Sequence, residues 1–419
     1  MGPQVIDIVA PSGNHCNNIF YSFCESPLME WTLQTIFPMI TTTVSLLFVI
    51  SVSEQFYRKR KPHQLVWAIA MFLFAITAGA EGFSMILGHW IPWVYRGYYV
   101  LAALQVSFMG GGVLYLFDSR NIINERNTAK QFILFGGIWS MFTLMFSGSA
   151  IYFRILLIPS LIMVLSGIGY YVAKYFDRKN AAGQHVLYCN YCRTEFETEV
   201  MECSQCGRSN MLKDDVPASG YRSWWHQHIT GRAFSHLFLG FSVVIFIMMT
   251  IPAWTAPLHE SLLVTGKEVS GLPWQANPAD PNEARAVVRL FSPLHTVTGG
   301  VALIGGGFYS YISWQLAIRR NSGHFAPKTG SYNLWIAIGA LVLGQGAFLS
   351  GLGTQLGEIF TFLPAEISSM GTLYISEVIS VSMMYWGFLG SDKLSKEKLL
   401  NAITFGRLVK QPVITQTGD

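Results

Sequence analysis

An all-α protein that crosses a membrane about nine times is the fold this sequence predicts. Three observations predict it. The chain has 419 residues, 51% hydrophobic and only 12% charged, where a soluble protein carries about 25% charged residues. Its apolar residues fall in runs of about 20, the length that crosses a hydrocarbon core at about 1.5 Å per residue. Between the runs, every second loop is rich in Lys and Arg.

The expected spans are 33–54, 64–88, 93–117, 131–149, 154–176, 233–254, 292–318, 333–354 and 367–390. The fourth and fifth are separated only by the short break at Ser147-Gly148-Ser149 and by Arg154. Basic clusters follow the odd-numbered spans: Arg58-Lys59-Arg60-Lys61, then Arg120, Arg126 and Lys130, then Lys174, Arg178 and Lys179. Arg319, Arg320 and Lys328, and finally Lys393, Lys396 and Lys398, continue the pattern. Basic loops stay in the cytoplasm, so the N-terminus is expected outside and the C-terminus inside a cytoplasmic membrane. Residues 1–30 lack the basic start and apolar stretch of a signal peptide, and span one is expected to export them. Cys16 and Cys24 then face the oxidising side and are disulfide candidates.

The chain divides into an extracytoplasmic segment 1–30, a three-span unit 31–118, and a block 119–231 holding two spans and a long polar insert. A block 232–390 follows, with one span, an outside loop and a second three-span unit; the tail is 391–419. The two three-span units resemble each other. Each starts with a span ending in a basic cluster, enters its second span through Leu and Trp (Leu65, Trp67; Leu334, Trp335), and ends in an aromatic step (Tyr115, Phe117; Tyr385, Trp386, Phe388). Both run from outside to inside, so the repeat would be parallel. The glycine runs at 110–112, 299–300 and 305–307 lie within spans, where glycine lets helices approach closely.

The insert holds Cys189-Asn-Tyr-Cys192 and, ten residues later, Cys203-Ser-Gln-Cys206-Gly207. Four soft thiolates in two CxxC pairs suit tetrahedral zinc, so Cys189, Cys192, Cys203 and Cys206 are the expected metal ligands. The residues 194–200 between the pairs alternate like a hairpin strand. This segment, about 185–212, resembles the short zinc ribbons of prokaryotic proteins. A rubredoxin-like iron site would carry Gly after both pairs, whereas Arg193 follows the first. Acidic residues balance the basic ones from 177 to 231, and Glu195, Glu197 and Glu199 lie on the hairpin itself. A phosphate-binding face needs a basic excess, so nucleic acid is not the expected partner. A cytoplasmic protein docking on the ribbon is. Trp224 and Trp225 read as an interfacial pair leading into span six.

Charges within lipid are costly and mark functional sites by default. Glu81 lies in span two and Glu377 near the middle of span nine. Aligning the two units sets Gln105 of span three opposite Glu377. These three are candidates for a transport path. Arg96 and Arg154 lie near the outer surface, placed to pair with Glu81 or to snorkel. His89, His295 and His236 are weak candidates for haem ligation, since no helix carries two mid-span histidines. No phosphate-binding loop, nucleophile elbow or HExxH motif occurs, so no enzymatic activity is expected. Three functions remain open: a non-enzymatic membrane subunit or scaffold that docks protein through its ribbon, a proton, cation or small-solute transporter, and a quinone- or haem-bearing redox subunit.

Overall fold

The structure, a computed structural model, describes residues 33–120, 125–146, 151–181, 185–189, 194–196, 212–217, 223–260, 288–312, 334–345 and 369–390, and single residues 205, 263, 265, 274 and 315. Its helices are α1 (Leu33–Lys59), α2 (Pro62–Leu87), α3 (Pro92–Arg120), α4 (Glu125–Phe146) and α5 (Ile151–Asn180). After a small sheet come α6 (Trp224–His228), α7 (Gly231–Thr255), α8 (Val288–Gly300), α9 (Leu334–Gln345) and α10 (Ser369–Gly390). Among the described residues, six helices are long and apolar enough to cross a membrane, namely α1 to α5 and α7. The protein is an all-α integral membrane protein that contacts lipid, and these six fall where hydropathy places the first six spans.

Local sequence sets the helix ends. Pro62 starts α2 after the extended Lys61 (φ −90°, ψ 129°), and Gly88, at φ 73°, ends it in the left-handed region that glycine alone enters freely. Thr230 caps α7 by accepting from the Ala233 amide at 3.1 Å. Helix α8 passes through a π-helical turn, Val301–Gly305, before the helical run continues to residue 312.

Helix α3 is the hub. It packs on α2, α7 and α8, and its three consecutive glycines serve one neighbour each. Successive residues on a helix point about 100° apart. A Cβ on Gly110 would stand 2.6 Å from the Gly299 carbonyl oxygen of α8, one on Gly111 would stand 2.4 Å from Leu239 Cδ2 of α7, and one on Gly112 would stand 2.4 Å from Trp67 Cδ1 of α2. The approach of α3 to α8 is reciprocal, because a Cβ on Gly299 would stand 2.4 Å from the Val106 carbonyl oxygen. Gly110, Gly111, Gly112 and Gly299 are thus used for close helix packing.

Aromatic residues fill the rest. Phe135, Trp139, Phe234 and Phe238 bring α4 against α7, with Trp139 and Phe241 centroids 4.3 Å apart. Phe48 of α1 and Phe388 of α10 lie 5.3 Å apart, with Trp67 beside both. The outer face of α5 is lined by exposed Ile155, Ile158, Ile162 and Leu165, as a lipid-facing helix requires.

In the insert, β1 (His185–Cys189), β2 (Glu195–Phe196) and β3 (Leu212–Pro217) form an antiparallel sheet in the order β2-β1-β3. Leu187 faces Phe196, and Cys189 faces Leu212. The Thr194 hydroxyl donates to Gln205 Oε1 at 3.1 Å. Cys16, Cys24, Cys192, Cys203, Cys206 and the Cys189 side chain lie outside the described residues. Asp177, near the end of α5, accepts from the amide and the hydroxyl of Ser223, each at 3.0 Å. That pair of bonds ties the start of the Trp224-Trp225 segment to α5.

Candidate functional site

A cavity of about 130 Å³ lies where α2, α3, α8, α9 and α10 converge. Its polar groups arrive by helical spacing, since residues four apart share a helix face. On α2 these are Thr77 and Glu81; on α8 they are Ser292 and Thr296; on α10 Leu373 stands beside Glu377. The hub helix α3 adds Tyr98, Tyr99, Ala102, Ala103, Gln105 and Val106, and α9 adds Leu343. Glu81 is 2% exposed, and Gln105 and Glu377 are each 7% exposed.

The three residues that sequence reasoning assigns to a transport path therefore line one cavity. They come from three helices, α2, α3 and α10. The Tyr98 hydroxyl donates to Glu81 Oε1 at 2.5 Å, the short separation typical of a hydroxyl on a carboxylate. The Thr77 hydroxyl lies 2.9 Å from Gln105 Oε1 and 3.0 Å from the Phe74 carbonyl oxygen, with one proton to share between them. Both contacts cross between α2 and α3, or brace α2 itself, and hold the polar wall in place. Burying two carboxyl groups costs several kcal/mol each in the ionised state unless a cation or proton compensates.

Immediately behind this wall, Ser107 Oγ lies 2.8 Å from His295 Nδ1, both fully buried. Ser107 follows Gln105 and Val106, and His295 lies between Ser292 and Thr296, so the pair joins α3 to α8 next to the cavity. At the start of α3, Trp90, Tyr95, Tyr98, Tyr99 and Trp274 form a buried aromatic cluster. Tyr99 and Trp274 centroids are 4.8 Å apart, as are Trp90 and Tyr98.

The other candidates have different surroundings. His89 is exposed, with Nδ1 3.0 Å from the Leu87 carbonyl oxygen. His236 is exposed too, its Nδ1 2.7 Å from the Arg232 carbonyl oxygen and its ring 5.3 Å from Tyr115. His295 alone of the three is buried. Arg96 donates to the Ala253 carbonyl oxygen near the end of α7, a favourable place for a cation. Among the described residues there is no cluster of three His, Cys, Asp or Glu side chains able to hold a metal ion.

Sequence reasoning missed Thr77, Tyr98, Tyr99, Ser292 and Thr296. Hydroxyl residues within spans carry little signal, because most simply bond to their own helix. Thr296 does so, bonding to the Ser292 carbonyl oxygen at 3.1 Å. The i, i+4 spacing of Thr77 and Glu81 was the one available clue. No family model, curated protein or solved structure matches this chain, so the functional reading stands on the site itself.

Proposed function

We propose that this protein carries a cation or proton across the membrane through the cavity that Glu81, Gln105 and Glu377 line. One observation carries the reading: the carboxyl groups of Glu81 and Glu377, nearly 300 residues apart in the chain, line a single cavity. A scaffold needs no second buried carboxyl group beside the one that Tyr98 holds, since each adds a desolvation cost. A carrier needs one, because buried carboxylates exchange the water shell of a cation for fixed oxygens.

The helix contacts support a parallel repeat around this site. If the first and last three-span units correspond, α1 matches the α8 span and α3 matches α10. Exchanging the units then turns the contact of α3 with α8 into that of α10 with α1. Both contacts are present. Gln105 and Glu377 would then be equivalent positions facing a common axis, and transporters built from repeats bind their substrates between the repeats. In this reading the chain crosses about nine times, with the N-terminus outside and the C-terminus in the cytoplasm. The seventh to ninth crossings are α8 with its continuation, the span that contains α9, and α10.

The purified protein in proteoliposomes should pass cations or protons down an imposed gradient in a saturable way. Flux no greater than that of empty vesicles, across inorganic cations, protons and small organic cations, would overturn the carrier reading.

The insert reads as a cytoplasmic zinc ribbon that docks a protein partner. Two features support the ribbon. The β1–β2 hairpin starts its turn at Cys189, and the bond from Thr194 to Gln205 brings the residues flanking one CxxC pair to the interior of the other. Cys189, Cys192, Cys203 and Cys206 would supply the four thiolates. Metal analysis should find about one zinc per chain. Iron instead, or less than half an equivalent of zinc from protein prepared without chelator, would contradict this.

A further inference from the structure

We infer that the cavity selects a small organic ammonium ion, with the charge on Glu81 and Glu377 and the carbon on the apolar wall; this rests on the carrier reading above. Three features point to that class. The first is size. A cavity of about 130 Å³ approaches the ~150 Å³ that holds one benzene-sized guest, and a water takes about 30 Å³ of liquid. A dehydrated inorganic cation would leave most of it empty.

The second is the lining. Beside the carboxyl, amide and hydroxyl groups, much of the wall is carbon: Ala102, Ala103, Val106, Leu343 and Leu373 all line the space. Such atoms give nothing to a hydrated ion, which would lose the water contacts on that side. An alkyl ammonium gains on both counts, since its charge meets carboxylate oxygens and its carbons replace water against the aliphatic wall.

The third is aromatic. Tyr98 and Tyr99 line the cavity, and Trp90, Tyr95 and Trp274 pack directly behind them. Buried aromatic rings next to carboxylates are the chemistry that holds alkylated ammonium groups, because the ring faces attract a diffuse cation that sheds its water easily. Tyr98 belongs to both halves of the site, since its ring lines the space and its hydroxyl holds Glu81.

Isothermal titration of the detergent-purified full chain tests this, using tetramethylammonium and ethylammonium chloride at constant ionic strength, with sodium chloride as the comparison. The expected result is saturable one-to-one binding of an organic ammonium, at least tenfold tighter than sodium. Glu377→Gln should weaken it at least tenfold. Ala102→Leu, which fills the apolar side and leaves both carboxyl groups, should weaken the organic ions and spare sodium. Melting curves of both variants confirm folding. Binding of sodium alone, or organic binding indifferent to Ala102→Leu, overturns this inference and leaves the carrier reading in place. If no cation binds to the folded wild type and its proteoliposomes pass neither cations nor protons, both fall.

Discussion

Glu377→Gln should reduce cation flux to the level of empty vesicles while the melting temperature stays the same or rises. The two halves of that result have one cause. Glutamine keeps the shape of the side chain but exchanges one acceptor oxygen for an NH₂ donor and cannot be ionised. A hydrogen bond involving a charged group contributes about 1.5–3 kcal/mol, so losing the charge should cost a bound cation roughly 10- to 100-fold in affinity. For a proton carrier the loss is complete, since an amide neither gains nor releases the proton. The fold should depend far less on the charge. Glu377 is 7% exposed, and replacing a buried carboxylate with a neutral amide lifts a desolvation cost. Flux assays and melting curves on the same preparation check both halves. Undiminished flux in the variant would remove Glu377 from the path.

The largest effect on stability is expected from the smallest change, Gly299→Ala. In an ordinary helix this substitution stabilises by up to about 1 kcal/mol. Here the new methyl group would meet the Val106 carbonyl oxygen at 2.4 Å and the Ser107 amide nitrogen at 2.7 Å. Both are backbone atoms of the hub helix and cannot swing aside. The α3–α8 contact must open, at a cost of about 1–3 kcal/mol or more. Opening it also moves Ser107 from His295 and shifts Ser292 and Thr296 in the cavity wall. The neighbouring Gly300 has no described atom within 4 Å of such a methyl group, so Gly300→Ala should be neutral or stabilising. Thermal melts of the two variants should separate clearly; equal melting temperatures would contradict the close α3–α8 packing.

The sequence made the first six spans legible because lipid imposes a simple rule of length and polarity. Hydropathy places span four at 131–149 and span five at 154–176, and the helices are Glu125–Phe146 and Ile151–Asn180. Glu81, Gln105 and Glu377 were legible for a related reason: a mid-span polar group is costly enough to stand out. That Tyr98 would hold Glu81, or Thr77 reach Gln105, was not. Those bonds join α2 to α3, and their partners are 17 and 28 residues apart in the chain. The role of His295 was also hidden. Its surroundings are decided by Ser107, 188 residues away. The π turn at Val301–Gly305 left only the glycine run as a trace. Gly110, Gly111 and Gly112 announce close packing, and only the fold assigns each to a different helix.

A hydrophobic carbodiimide tests the central claim most directly, because it reacts with carboxyl groups that take up a proton away from bulk water. Protein in native-like vesicles should be modified at Glu377, read by mass spectrometry of the cleaved chain. A cation that the protein carries should slow that modification in proportion to its occupancy, while an uncarried one at the same ionic strength should not. Glu81, held by Tyr98, should react more slowly. Modification of neither residue, or modification of Glu377 at a rate that neither pH nor any cation alters, would contradict the cavity as the path.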